Sequence, residues 1–156
     1  MDVDADLPGL EVMPPEDQMA IGATLGALLG GFGRRNAAMM DAAYSEDADW
    51  VNAFGTVKTG RAAIIDYLRG LFADEAFNAG KMAAPPVSRL RRLAATAVAV
   101  STHLQILDQG LVGGGTISRR DNHSLRILEK QADGRWLIVS EIYMDARQDQ
   151  TYAAQG

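Results

Sequence analysis

The decapeptide EDADWVNAFG, residues 46–55, decides where helix gives way to sheet in this chain. Its pattern predicts a short strand, along which alternate side chains share a face. Trp50, Asn52 and Phe54 then point one way, and Asp49, Val51 and Ala53 the other. A polar amide between two large aromatics has two readings. Either Asn52 satisfies a backbone group in a dry core, or it lines a pocket and meets a ligand.

On the N-terminal side the pattern is helical. Pro14 and Pro15 followed by Glu16 and Asp17 make a helix start, because proline is tolerated in the first turn and acids suit the dipole. Ile21, Leu25, Leu28, Leu29 and Phe32 follow at helical spacing. Gly22, Gly26 and Gly30 form a second stripe, read as a smooth face that lets this helix lie close to a sheet. Asn36 is the expected N-cap of a second helix, AAMMDAAYS, with Met39, Met40 and Tyr44 as its core contacts. Beyond the decapeptide, GTVKTG turns the chain into a third helix, GRAAIIDYLRGLF, whose buried face carries Ile64, Ile65, Leu68, Leu71 and Phe72.

Residues 73–86 read as a loop closed by Pro85 and Pro86, and the character then changes to strand. VSRLRRL is a short strand and TAVAVSTHLQIL a longer one. In the latter, Val98, Val100, Thr102, Leu104 and Ile106 share one face, and Ser101, His103 and Gln105 the other. ISRRDNHSLRILEK and RWLIVSEIYMDA follow, joined by the Asp-Gly hairpin signal of QADG. Three helices around one early strand, then a run of hairpin-linked strands, make an α+β layout with helices on one face of a curved antiparallel sheet. The arginines of SRLRRL and SRRD read as solvated strand faces or edge protection.

The chain has 156 residues and a net charge of -5, which suggests one domain and argues against nucleic acid and anionic membrane surfaces as partners. The expected division is a flexible arm over 1–15, a domain over 16–146 and a tail over 147–156. There is no cysteine, which removes disulfides and thiol chemistry and fits a cytoplasmic location. The longest uncharged apolar run, Met19–Gly33, is short of the roughly 20 residues that span a bilayer.

Candidate chemistry is sparse. His103 and His123 are the only histidines, each in the middle of a different strand. They are candidate proton carriers, or else exposed strand residues beside polar neighbours. With Glu141 they could hold a metal, but no close-spaced ligand motif supports one, so no metal and no cofactor are expected. Glu141 and Tyr143 share one face of the last strand, opposite Trp136, Ile138, Ser140 and Ile142. The second set looks more like core, which would turn Glu141 and Tyr143 outward. A slip of one residue exchanges the faces.

YSEDADWVNAFGTVKTGRAAIIDYLRGLF and the closing hairpin LRILEKQADGRWLIVSEI resemble segments of the SnoaL-like, nuclear-transport-factor-two-like superfamily, nearest its SgcJ/EcaC-type group. The likeness covers residues 16–146. It implies a cystatin-like α+β cone with a cavity between sheet and helices, and often a homodimer through the outer sheet face. It also implies a small, mostly apolar, polyketide- or steroid-like molecule as partner. Ketosteroid isomerase-like members keep a general-base aspartate near the place of Asn52, and an amide cannot abstract a proton. Two functions follow as expectations. One is a cofactor-independent isomerase-, cyclase- or dehydratase-type enzyme, with His103 or His123 as proton carrier and Tyr44, Trp50, Asn52, Phe54, Glu141 and Tyr143 around the substrate. The other is a non-catalytic ligand-binding or homo-association module.

Overall fold

The computed structural model describes residues 7–147. The first six residues of the expected arm and residues 148–156 of the expected tail lie outside that range.

Helix α1 runs Pro15–Arg34 and buries Ile21, Leu25 and Leu28. Asp17, in its first turn, does more than complement the dipole. Its Oδ1 accepts from Trp136 Nε1 at 3.1 Å and pairs with Lys130 Nζ at 2.8 Å, so the helix start is pinned to the sheet. Thr24 adds a hydroxyl donated to the Trp136 carbonyl. The helix ends at Arg35 in the left-handed conformation (φ 52°), and Asn36 then caps α2, Ala37–Met40, by accepting from Ala38 N at 3.1 Å.

The second helix is a single turn, shorter than the nine residues its composition suggested. Tyr44, expected on that helix, opens β1, Tyr44–Val51. The backbone explains the difference: Ala43 O accepts from Ile138 N at 2.8 Å, so the sheet captures the chain before a second turn can form. The glycine stripe is also corrected. A Cβ at Gly26 would meet nothing within 4 Å, whereas one at Gly31, off the stripe, would lie 2.1 Å from Met40 Cγ. At Gly31, and at Gly30 of the stripe, where a Cβ would lie 3.0 Å from Met39 Cε, the close approach is to α2.

Strand β2 (Val57–Thr59) completes the first hairpin, and α3 (Arg61–Phe72) has the predicted buried face, with Leu71 only half-buried. The segment read as a loop contains a one-turn helix, α4 (Glu75–Asn78), and a two-residue strand, β3 (Lys81–Met82). Strands β4 (Val87–Ala94), β5 (Ala97–Gly110), β6 (Thr116–Lys130) and β7 (Trp136–Asp145) follow in antiparallel succession. The sheet order is β2-β1-β7-β6-β5-β3, with β4 also on β5, and only β1 and β7 run parallel. This is the expected α+β cone: a strongly curved, mostly antiparallel sheet with the helices on its concave side. Within the expected arm, Leu7, Leu10 and Met13 are buried, and Leu90 N donates to Pro8 O at 2.8 Å. Among the described residues no helix is long and apolar enough to cross a membrane.

One irregularity in β7 matters for everything that follows. Leu128 faces Ile138 across the β6–β7 ladder, but Ile127 faces Ser140, so Val139 is an extra residue on β7. Such a bulge shifts the alternation by one.

The two helical glycines separate cleanly by mutation. Gly26→Ala should stabilise by about 0.5–1 kcal/mol, because alanine is the better helix former in open space. Gly31→Ala should destabilise by about 1–3 kcal/mol through overpacking against the buried Met40. Chemical denaturation of both variants checks the opposite signs.

Candidate functional site

The β7 bulge carries Glu141 and Tyr143 to the concave side, the same side as Trp136 and Ile138 before it. Strict alternation would have forbidden that combination. Glu141 is 2% exposed. Its Oε1 accepts from three donors: Tyr44 OH at 2.5 Å, Tyr143 OH at 2.8 Å and Trp50 Nε1 at 3.0 Å. Its Oε2 accepts from Arg126 Nε at 2.6 Å. Arg126 spends its other donors on Thr102 Oγ1 at 2.9 Å and Ser124 Oγ at 2.8 Å, and Thr102 meets Ser88 Oγ at 2.9 Å. Strands β1, β4, β5, β6 and β7 thus all contribute to one buried polar network.

Aromatic rings wall the network. Trp50 lies 5.4 Å from Tyr67 and 5.9 Å from Tyr143, centroid to centroid. Phe32 packs edge-on against Phe72 at 5.5 Å and Tyr143 at 6.3 Å. Burial pushes the Tyr44 and Tyr143 hydroxyls above the usual phenol range, and the Glu141 carboxylate pushes them further. Burial alone would make Arg126 easier to deprotonate, but Glu141 and Tyr143 outweigh it and hold the guanidinium charged.

Tyr143 is the half-buried phenol of the group, whereas Tyr44 is fully buried. Past it, half-buried Leu104 and Ile106 continue the concave face of β5, and Arg120 that of β6. Arg120 Nε contacts both oxygens of Asp145 at 2.8 and 2.9 Å, and Asn122 Nδ2 donates to the same carboxylate at 3.0 Å. The Arg120 guanidinium sits 5.2 Å from the Phe54 ring centroid. This end of the concave face is therefore mixed: half-buried apolar side chains, one half-buried phenol and one tethered ion pair.

The structure thus brings Tyr44, Trp50, Glu141 and Tyr143 together. It does not bring the remaining expected residues to them. Strand β1 ends at Val51, so Asn52 is a turn residue and no longer shares a face with Trp50 and Phe54. Its Oδ1 accepts from Phe54 N at 2.9 Å and Thr56 N at 2.8 Å, and its Nδ2 donates to Tyr67 OH at 3.0 Å. The amide ties the β1–β2 turn to α3, and Phe54 is 60% exposed. His103 and His123 face each other across β5 and β6, stacked at 4.6 Å. They alternate with the concave-side residues Thr102 and Ser124, so they lie on the outer face of the sheet. There His103 Nε2 contacts Asp121 Oδ1 at 3.0 Å. Arg126 was missed. In SLRILEK it reads like any other strand arginine, and only the β5–β6 register, which sets it opposite Val100, marks it as inward.

No protein-family model matches the chain, and no curated protein matches it. Solved structures do. A protein of cystatin-like fold from Caulobacter vibrioides superposes with a TM-score of 0.73 at 17% identity, covering 86% of this chain and 92% of its own. The hexachlorocyclohexane dehydrochlorinase LinA-type3 from Novosphingobium barchaimii LL02 gives 0.68 at 15% identity, over 87% and 90%. A ketosteroid isomerase-like protein from Erwinia carotovora atroseptica gives 0.60 at 16% identity, over 86% and 99%. At these identities the likeness establishes the fold, and it upholds the resemblance read from the sequence at that level.

Two measurements probe the network. Glu141→Leu should cost about 3–5 kcal/mol by stranding a buried guanidinium, whereas the double variant Arg126→Leu/Glu141→Leu should cost less than that single change. Denaturant titration gives both values. The two raised phenols also set an alkaline limit. Their stabilisation is fully present below the unfolded phenol value of about 10 and drains away as pH rises above it. Stability should fall above about pH 10, and Tyr143→Phe should make that fall shallower.

Proposed function

We propose that this is a small-molecule-binding domain that takes a mostly apolar, oxygenated ring compound at the open end of its cone, with Tyr143 as the polar anchor. The observation that carries this reading is the environment of Tyr143. Its hydroxyl is held on Glu141, Glu141 is held by Arg126, its ring packs against Phe32 and Trp50, and half-buried Leu104, Ile106 and Arg120 lie further along the same concave face. A few convergent polar groups in a mostly apolar, aromatic surround are what small-ligand sites are made of. The phenol keeps its proton at neutral pH, so it can turn from Glu141 to a ligand carbonyl or hydroxyl, or accept from one. Structural neighbours named for isomerase-like and dehydrochlorinase activities support a site in this fold that handles small molecules.

If the bound molecule is turned over, the proton carrier comes from the Tyr44–Glu141–Tyr143 group. His103 and His123 stand on the other side of the sheet. The cytoplasmic assignment rests on the cysteine-free sequence alone.

A homodimer is the second part of the reading, favoured by a specific observation. The outer sheet face exposes Leu125 at 47%, Ile142 at 52%, Met144 at 61% and Val87 at 69%. A cluster of this kind on one face marks an association surface.

Binding is tested with 1-naphthol and 2-tetralone as probes, followed by the fluorescence of Trp50, whose ring neighbours Tyr143. Saturable quenching is expected, weakened about 10-fold in Tyr143→Phe, as for one lost hydrogen bond of roughly 1.4 kcal/mol. Quenching that is linear in probe, or equal in the variant, overturns the assignment of Tyr143.

A further inference from the structure

We propose that the outer face of the sheet carries a copper(I) site, in which His103, His123 and Met144 are the ligands and the Asp121 carboxylate orients His103. No close-spaced motif announces it, because the three ligands come from three strands.

The ladder registers set His103, His123 and Met144 in one row across β5, β6 and β7. All three stand on the side away from the buried network, half-buried or exposed. The two imidazoles stack with centroids 4.6 Å apart and planes 13° from parallel. Neither ring takes part in the core or in the polar network around Glu141.

The surroundings of His103 fix its tautomer. Its Nε2 lies 3.0 Å from Asp121 Oδ1, and the same carboxylate accepts from Gln105 Nε2 at 3.2 Å and Arg119 Nε at 3.1 Å. Hydrogen bonds from Gln105, His103 and Arg119 hold the Asp121 carboxyl below its usual range. An ionised carboxylate can only accept, so His103 Nε2 carries the proton and Nδ1 keeps its lone pair. A carboxylate on the far ring nitrogen is how metal-ligating histidines are oriented and made more basic. His123 is exposed, and among the described residues only the stack engages its ring. It is free to turn a nitrogen toward the same point.

Distance and ligand type select the ion. Two imidazole nitrogens bonded to one metal at about 2.0 Å each stand at most about 4 Å apart. A small turn of His123 out of the 4.6 Å stack closes that separation. Met144 pairs with His123 across the ladder and is 61% exposed, so its flexible side chain can bring the sulfur over. Imidazole accepts several transition metals, but a thioether is a soft ligand that favours copper(I). Zinc sites take thiolate, imidazole or carboxylate ligands. Among the described residues no three His, Asp or Glu side chains gather to hold a metal. Charge agrees with this choice. Arg119 is paired with Asp121, which leaves neutral ligands in a nearly neutral surround. Hard divalent cations call for several oxygen ligands instead.

The test loads the full chain anaerobically with copper(I) in the presence of ascorbate and competes it with bicinchoninate. One copper(I) per chain is expected, with two nitrogen neighbours and one sulfur neighbour by X-ray absorption. Asp121→Asn should weaken binding about 10-fold, as for an outer-shell partner, and His103→Ala or His123→Ala should weaken it more. Met144→Leu should weaken copper(I) binding and remove the sulfur neighbour. Absence of stoichiometric copper(I) binding overturns the proposal. Equal affinity in His123→Ala places the metal elsewhere and does the same. A sulfur neighbour that survives Met144→Leu comes from another methionine, and the ligand set is then wrong. One copper(I) per two chains means that copies share the ion, which the single-chain site forbids. Circular dichroism confirms folding. His123 and Met144 are exposed, so their variants decide should His103→Ala fail to fold.

Discussion

A guanidinium and a carboxylate sit 2.6 Å apart inside the cone, with side-chain exposures of 3% for Arg126 and 0% for Glu141. Removing two charges from water costs several kcal/mol per ion, and their attraction offsets this only when the remaining lone pairs and protons are also satisfied. Here Tyr44, Trp50 and Tyr143 complete the carboxylate, and Thr102 and Ser124 complete the guanidinium. The requirement reaches far along the chain. Tyr44 must lie on a strand rather than on the helix its neighbours favour. Trp50 must turn its indole inward. Strands β6 and β7 must pair in the one register that sets Arg126 opposite Glu141.

The extra residue at Val139 reconciles that pair with the apolar core. Before it, Trp136 and Ile138 are buried. After it, Glu141 is buried, while Ile142 and Met144 turn out to 52% and 61% exposure. Without the insertion, Ile142 would take the inner place and Glu141 would face solvent. One insertion therefore builds both features of functional interest: the phenol–carboxylate cluster on the concave side and the apolar strip on the convex side. The buried cluster and the exposed apolar strip are consequences of the same backbone choice, and a deletion of Val139 would disturb both at once.

What the sequence conveyed and what it concealed follow from the range of the interactions. Helices α1 and α3 and the two faces of β5 were readable, because regular spacing and local start signals specify them. The Asn36 cap was readable for the same reason, as was the QADG turn, where Gly134 takes φ 90°. The β7 faces were not, since a bulge leaves no mark in a run such as WLIVSEIYMD and is fixed by the partner strand. Helix α2 was overestimated, because its alanines and methionines favour a helix until the sheet's hydrogen bonds claim Ala43 and Tyr44. Asn52 was placed on a strand although its better use is local: an Asx turn holds the hairpin and leaves one amide hydrogen for Tyr67. Four of the eight expected site residues, Tyr44, Trp50, Glu141 and Tyr143, do meet in space. Their aromatic and acidic character was visible in the sequence, but Arg126, which organises them, was not.

Stability alone does not explain why the cone keeps this pair. A well-packed apolar substitute for a buried ion pair is commonly as stable or more so, and the surrounding Phe32, Trp50, Tyr67 and Phe72 would accommodate one. The pair does something an apolar substitute would not. It fixes a carboxylate against the half-buried Tyr143 phenol and holds that phenol protonated and oriented through a charge-assisted hydrogen bond. Arg126 in turn supplies the positive charge that lets Glu141 remain an acceptor in a dry interior. The arrangement fixes the direction of the one phenol proton, which is held on Glu141, and leaves the oxygen's lone pair as the group a ligand would meet on the proposed reading. On the proposed reading that role offsets the desolvation cost at this position, and Tyr143 is the residue through which the buried network would act on a bound molecule.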